Sequence, residues 1–251
     1  EKGVLEPEIL GHADSFPLPD QDVEDAVNNG IDDYRGLAVI FAFPERSLPL
    51  LRQKWRETDD PEQKLQYARV LGLLHDSTGA KTLAETLRQS EWDEGWNFTG
   101  LGQFGMSMSK VDTLLLALAY TGHSETSTIL KTKVEQLTPE ADFSHFRATT
   151  LALEAYPVPE AVPRLSSLLE DPRIKGVSKT SLKEAVTNVP ESHKDTGERN
   201  QELTEIHLAR ALLACSDPTG KARVILRNYM LDLHGHYARH ARAVLAGENE
   251  K

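Results

Sequence analysis

Apolar and polar residues follow two regimes along this chain. Over the first twenty residues they show no period, and Pro7, Pro17 and Pro19 interrupt any helix while Gly3 and Gly11 loosen the backbone. From about Val23, and strongly from Asp33, apolar residues return every three or four positions, the period of a helix with one buried face. This predicts an extended arm over 1–22 and a helical domain over 23–251. Asp33 is placed to cap a helix running to about Phe43, which Pro44 must break. A second helix, 45–57, carries Leu48, Leu51 and Trp55 on one face, and Asp60-Pro61 supplies the next start signal, a capping acid followed by proline.

From there the pattern repeats. Residues 67–79 and 208–220 align without a gap, 141 positions apart, with Ala, Arg, Leu, Asp, Thr and Gly recurring in register. Weaker copies cover 148–161, 114–124 and 237–247. Each is an apolar helix, a short turn rich in Pro, Asp or Gly, and, in all but the last, a second amphipathic helix, predicted at 80–89, 126–137, 160–170 and 221–233. One helical hairpin cannot cover its own apolar face, so hairpins stack and share a core. The expectation is an all-α, HEAT-like α-solenoid of about five helical hairpins. Ala68, Ala148 and Ala209 permit close helix approach, and Leu71, Leu151 and Leu212 are expected at equivalent buried positions.

Two insertions interrupt the array. The first, 92–108, holds Trp92, Trp96, Phe98 and Phe104 among glycines in a chain that is only 6% aromatic. It reads as a loop docked on the helices. The second, 172–200, is polar and charged, with a short helix expected at 181–188, and reads as a solvated surface loop.

Composition narrows the partners. The chain has 251 residues and a formal charge of −11, which argues against nucleic acid or an anionic membrane surface. No apolar run approaches the roughly 20 residues that span a bilayer. The single cysteine, Cys215, rules out an intrachain disulfide and any cysteine-rich zinc site. The chain begins with Glu1 and has no signal-peptide pattern, so it reads as a processed product or a piece of something longer. No motif assigns it to a compartment.

Few residues offer chemistry. Residues 100–105 spell G-x-G-x-x-G, but no buried strand precedes them, so the dinucleotide reading lacks its structural context. His234, His236 and His240 form H-x-H-x-x-x-H; the last two share a helix face at a spacing that can bind zinc. Arg239 and Arg242 beside them disfavour a cation, and solvated or helix-capping histidines are the expected roles. His145, within Ser144-His145-Phe146-Arg147, opens a helix with Asp142 or Ser144 as cap; it could hold a carboxylate or contact the preceding turn. No serine or cysteine sits in a nucleophile context. Asn97-Phe98-Thr99 is a glycosylation sequon.

Three segments carry a family resemblance: 95–105 with Ser109-Lys110-Val111-Asp112, then 144–148, then 235–241. In that order they resemble the C-terminal helical-repeat region of large FAD-dependent oxidoreductase-like proteins, over most of the chain from about Leu48. In that family the flavin-binding fold lies N-terminal to this region. The resemblance therefore implies FAD in a parent protein, with no catalytic or cofactor-binding residue in this chain. It also implies a non-catalytic scaffold packed beside a flavin-binding domain, with Trp92, Trp96, Phe98, Gln103, Phe104 and His145 at the junction. The alternatives are a stand-alone adaptor that binds another protein, and a metal-dependent hydrolase or lyase using the C-terminal histidines.

Overall fold

The computed structural model describes residues 18–99, 108–187 and 196–248. Among these the regular structure is helical, without strands. In chain order the helices are α1 Asp20–Asn29, α2 Tyr34–Ala42, α3 Pro44–Glu57, α4 Pro61–Leu73, α5 Ala80–Gln89, α6 Lys110–Thr121, α7 Thr126–Gln136 and α8 Phe143–Ala155. A 3-10 turn, Pro159–Ala161, precedes α9 Val162–Leu168; α10 Leu182–Thr187, α11 Gly197–Ala214, α12 Lys221–Tyr229 and α13 Gly235–Glu248 complete the chain. No helix among the described residues is long and apolar enough to cross a membrane.

Local chemistry fixes the starts. The Asp33 carboxylate accepts the Arg35 and Gly36 amides and caps α2. The Asp60 carboxylate accepts those of Glu62 and Gln63, with Pro61 opening α4. Ser109 and Asp112 cap α6 reciprocally, each side chain taking the other's amide. The first helix begins at Asp20 rather than near Val23, because Pro19 sits at its N-cap and Asp20 and Asp22 suit the positive helix end.

Helices α4, α6, α8 and α11 pack in succession, each on the next. On one side α5 lies against α4 and α6, α7 against α5 and α8, and α9 against α7 and α11, followed by α12 on α11 and α13 on α12. At the other end α1, α2 and α3 pack together, and α3 meets α4. Helix α4 has two buried faces. Leu65 and Ala68 join the main core, which extends to Ala241, while Tyr67, Val70 and Leu71 join a smaller core with Val27, Ile40 and Leu51. Ala68 is small for a reason: a Cβ on Gly79 would lie 2.5 Å from its Cα, so the α4–α5 turn closes directly onto that backbone.

The matched segments form matched turns. His75 and Ser216 both take left-handed backbone, at φ 60° and 70°. The next residues, Asp76 and Asp217, are buried, and each carboxylate accepts a backbone amide of the turn or following helix, from Thr78 and Ala222 respectively. Leu71 and Leu212 are fully buried. Leu151 is not: it is half-buried, and the core positions of α8 are filled by Ala152 and Leu153 instead.

Other boundaries also move. The predicted 160–170 helix is split into a 3-10 turn and α9, with prolines opening both. The 221–233 helix stops at Tyr229, because Asp232 turns inward to accept the amides of Lys179 and His234. That contact also narrows the solvated reading of the second insertion, whose described residues are mostly exposed but anchored at a few points. Ile174 is buried, and the Gly176 and Val177 amides bond to the buried Glu205 carboxylate. The arm through residue 17, Gln103, Phe104, the 100–105 glycine motif and residues 188–195 lie outside the described residues.

Candidate functional site

The densest polar cluster joins α6, α8 and the 92–99 segment. Asp112, in the first turn of α6, is fully buried and accepts three hydrogen bonds: from the Ser109 amide at 2.8 Å, Ser144 Oγ at 2.6 Å and His145 Nδ1 at 2.7 Å. His145 is itself buried, and its Nε2 faces the Asp93 carbonyl oxygen at 3.1 Å. Both partners of the ring are acceptors, so both ring nitrogens donate and the imidazole carries a proton on each. Burial pushes the His145 pKa down, but the hydrogen bond and charge of Asp112, with Asp142 and the Asp93 carbonyl, outweigh it and raise the pKa above the ordinary histidine value. Burial likewise pushes the Asp112 carboxyl up, and its hydrogen bonds to His145, Ser144 and Ser109 outweigh that and lower it.

The 92–99 segment is stitched onto this cluster. Trp96 and Ser144 exchange two bonds: the Trp96 amide donates to Ser144 Oγ, and the Ser144 amide donates to the Trp96 carbonyl, each at 2.9 Å. Asp142 occupies the cap position of α8 but does not cap it. Its carboxylate accepts the Gly95 amide at 2.8 Å and Asn97 Nδ2 at 2.5 Å, while Asn97 Oδ1 receives the Phe143 amide and so tends the helix start. Gly95 is required here, since a Cβ would lie 2.4 Å from that of Asp142. Further along, the Phe98 amide donates to Asn200 Oδ1, and the Phe98 carbonyl accepts from Asn200 Nδ2 and Thr196 Oγ1. The segment thus bridges α6, α8 and α11.

Aromatic rings fill the space between these bonds. Trp92 packs tilted against His145 with ring centroids 4.5 Å apart, and Lys133 Nζ lies 5.4 Å from the Trp92 ring centroid. Lys133 is buried and donates to the Ser90 carbonyl; burial lowers its pKa despite Asp93 and Glu91 nearby. Trp96, Phe98 and Phe143 form one cluster, with the Arg199 guanidinium 3.8 Å above the Phe98 ring. Trp92, Trp96 and Phe98 each remain half-buried, beside the exposed Glu91, Asp93 and Glu94.

Of the residues singled out from sequence, Trp92, Trp96, Phe98 and His145 therefore meet in one place. Sequence reasoning gave Asp142 and Ser144 only a capping role and Asp112 only a place in a motif, and it missed Lys133 and Asn200. Asp112 carried a further readable signal, as the fourth residue of the Ser109 capping box. The cluster is not a nucleophilic triad, because Ser144 gives its proton to Asp112 and makes no bond to His145. The Asn97 side chain is spent at both ends, so the sequon amide is held inside the fold.

The C-terminal histidines split: His234 and His236 are neighbours, with ring centroids 6.0 Å apart, and His240 faces another partner. His234 Nδ1 lies 2.9 Å from Asp232 Oδ1, His236 packs on Tyr237, and His240 Nε2 lies 3.3 Å from Arg210 Nη1. Among the described residues no group of three His, Cys, Asp or Glu side chains could hold a metal ion. Cys215 is buried in the core, which raises its thiol pKa.

No family model, curated protein or solved structure matches this chain.

Proposed function

We propose that this chain is a non-catalytic scaffold, a HEAT-like array of stacked helical hairpins whose 92–99 segment forms a docking face for another domain. The observation that carries this reading is the 92–99 segment itself. Bonds to α6, α8 and α11 hold it in place, yet Trp92, Trp96 and Phe98 keep part of their apolar surface in water. Exposed aromatic surface costs about 25 cal/mol per Å², and an ordered aromatic patch with a polar rim suits a protein partner. The succession α4, α6, α8, α11, flanked by α5, α7, α9 and α12, supports the array reading. The matched turns at His75 and Ser216 support it further.

The partner we propose is a flavin-binding domain of a parent protein, on the resemblance of the 95–105, 144–148 and 235–241 segments to the FAD-dependent oxidoreductase-like group. FAD would belong to that domain, and this chain would shape its surroundings.

The test is to express the chain joined to whatever its reading frame encodes upstream, and to compare tryptophan quenching by acrylamide with that of the chain alone. The expected result is a flavin-coloured longer protein in which quenching falls, with Trp96→Ala and Phe98→Ala weakening the association of the two parts. Strong protection of all three tryptophans in the isolated chain would refute the docking face. A docking face that persists without any upstream flavin fold would favour the adaptor reading.

A further inference from the structure

The geometry around His145 points to a proton-dependent latch: we propose that a doubly protonated His145 clamps the 92–99 segment, and that loss of one ring proton loosens it. The control this gives over docking rests on the docking reading above; the latch itself does not.

The ring bridges two parts of the molecule. Nδ1 donates to Asp112 on α6, and Nε2 donates to the main chain of the segment at Asp93. Neither acceptor can become a donor while Asp112 stays ionised, so a neutral ring must abandon one bond. Losing the Asp112 bond would leave a buried carboxylate short of a donor; losing the Asp93 bond releases one of the segment's anchors. The second loss is the smaller, because the carbonyl lies beside exposed residues and can turn to water.

The groups facing the ring all favour the charged form or act at a distance. Asp112 faces it from α6, Asp142 lies 4.0 Å from Nε2 at the start of α8, and Asp93 supplies the carbonyl. Lys133, from α7, meets the same Trp92 ring, its Nζ 5.4 Å from the ring centroid. Arg147, on α8, feels the charge of Asp112. Trp92 packs tilted against the imidazole, so the aromatic cluster feels the charge of the ring as well as its position.

Freeing the Asp93 carbonyl loosens the residues next to it in the chain. Gly95 and Trp96 hang their amides on Asp142 and Ser144, and Ser144 bonds in turn to the same Asp112. One proton therefore governs a continuous run from α6 through α8 to the segment.

Two measurements on the whole chain decide it. Nitrogen-15 NMR should find both His145 ring nitrogens protonated at pH 6, with a midpoint above the ordinary histidine value. Amide exchange, corrected for the intrinsic pH dependence, should show protection at Gly95 and Trp96 falling through that same midpoint. In Asp112→Asn the midpoint should drop by about 1–3 pH units. A ring carrying one proton at pH 6, or protection that stays flat while the ring titrates, would overturn the latch. If Asp112→Asn does not fold, the wild-type titration alone settles the matter. Because these readouts need no partner, a failed latch leaves the docking face standing, and a docking face without function leaves the latch intact.

Discussion

Arg210 on α11 reaches Glu154 on α8 with two hydrogen bonds, at 2.9 and 2.7 Å, and turns its remaining Nη1 toward His240 Nε2 on α13. A guanidinium can only donate, so His240 Nε2 presents its lone pair there and the ring is neutral. Burial first, and then the Arg210 charge, bring the His240 pKa down to about 4.

This depressed value makes the fold sensitive to acid. A histidine held neutral in the fold but free to charge when unfolded contributes stability above its unfolded value, near 6.5, and loses it as pH falls toward about 4. His207 is lowered in the same direction, by its burial first and then by the Arg210 charge. The chain should therefore lose on the order of 2 kcal/mol from His240 across that interval, after allowance for its partial exposure. Replacing His240 with Gln keeps an acceptor without a proton site. Denaturant midpoints of His240→Gln should be flatter between pH 6.5 and 4 than those of the wild type; equal slopes would remove His240 from the account.

His145 works in the opposite sense at the other end of the pH scale. Its contribution is complete below the unfolded histidine value and is lost as pH rises through its raised folded value. Asp112, held low, contributes above 3.8 and loses its share only in stronger acid. Acid therefore strains the α8–α11–α13 junction, while alkali loosens the 92–99 segment.

Core truncations should separate the three aligned leucines. Leu71→Ala and Leu212→Ala each delete a fully buried side chain and should cost about 2–5 kcal/mol. Leu151→Ala should cost less, about 1–2 kcal/mol, since part of that side chain already meets water. Equal losses at all three would mean that Leu151 belongs to the core after all.

Gly95→Ala is a local probe. The added methyl would collide with the Cβ and carboxylate of Asp142 and with His145 Cε1. The segment should lift, and Trp92 and Trp96 should become more open to acrylamide. The global cost should stay near 1–3 kcal/mol, in the range of overpacking. A variant with unchanged tryptophan exposure would show that the segment tolerates the methyl in place.

Much of the helical framework was readable because its signals are local. Asp33, Asp60 and Ser109 act on amides two or three residues away, and the Asp-x-Thr-Gly turns announce themselves within four positions. The candidate site was only half legible. The aromatic content of the first insertion was visible, but the Asp112–His145 bond spans 33 residues and leaves no periodic trace. The second insertion looked solvated because its anchors, Glu205 and Asp232, lie dozens of residues further along the chain. Leu151 misled because an aligned register predicts sequence equivalence, while helix rotation decides which side meets the core.

The double-faced α4 limits how the chain can be divided. Residues 58–60 look like a natural seam, a polar turn between two helices. A cut there would leave Tyr67, Val70 and Leu71 facing water on the C-terminal piece and Ile40 and Leu51 on the N-terminal one. Neither piece could bury what the other had covered. The first three helices and the remainder should therefore melt in a single cooperative transition, and any shortened version of this protein should begin ahead of α1 rather than at the inviting proline of α4.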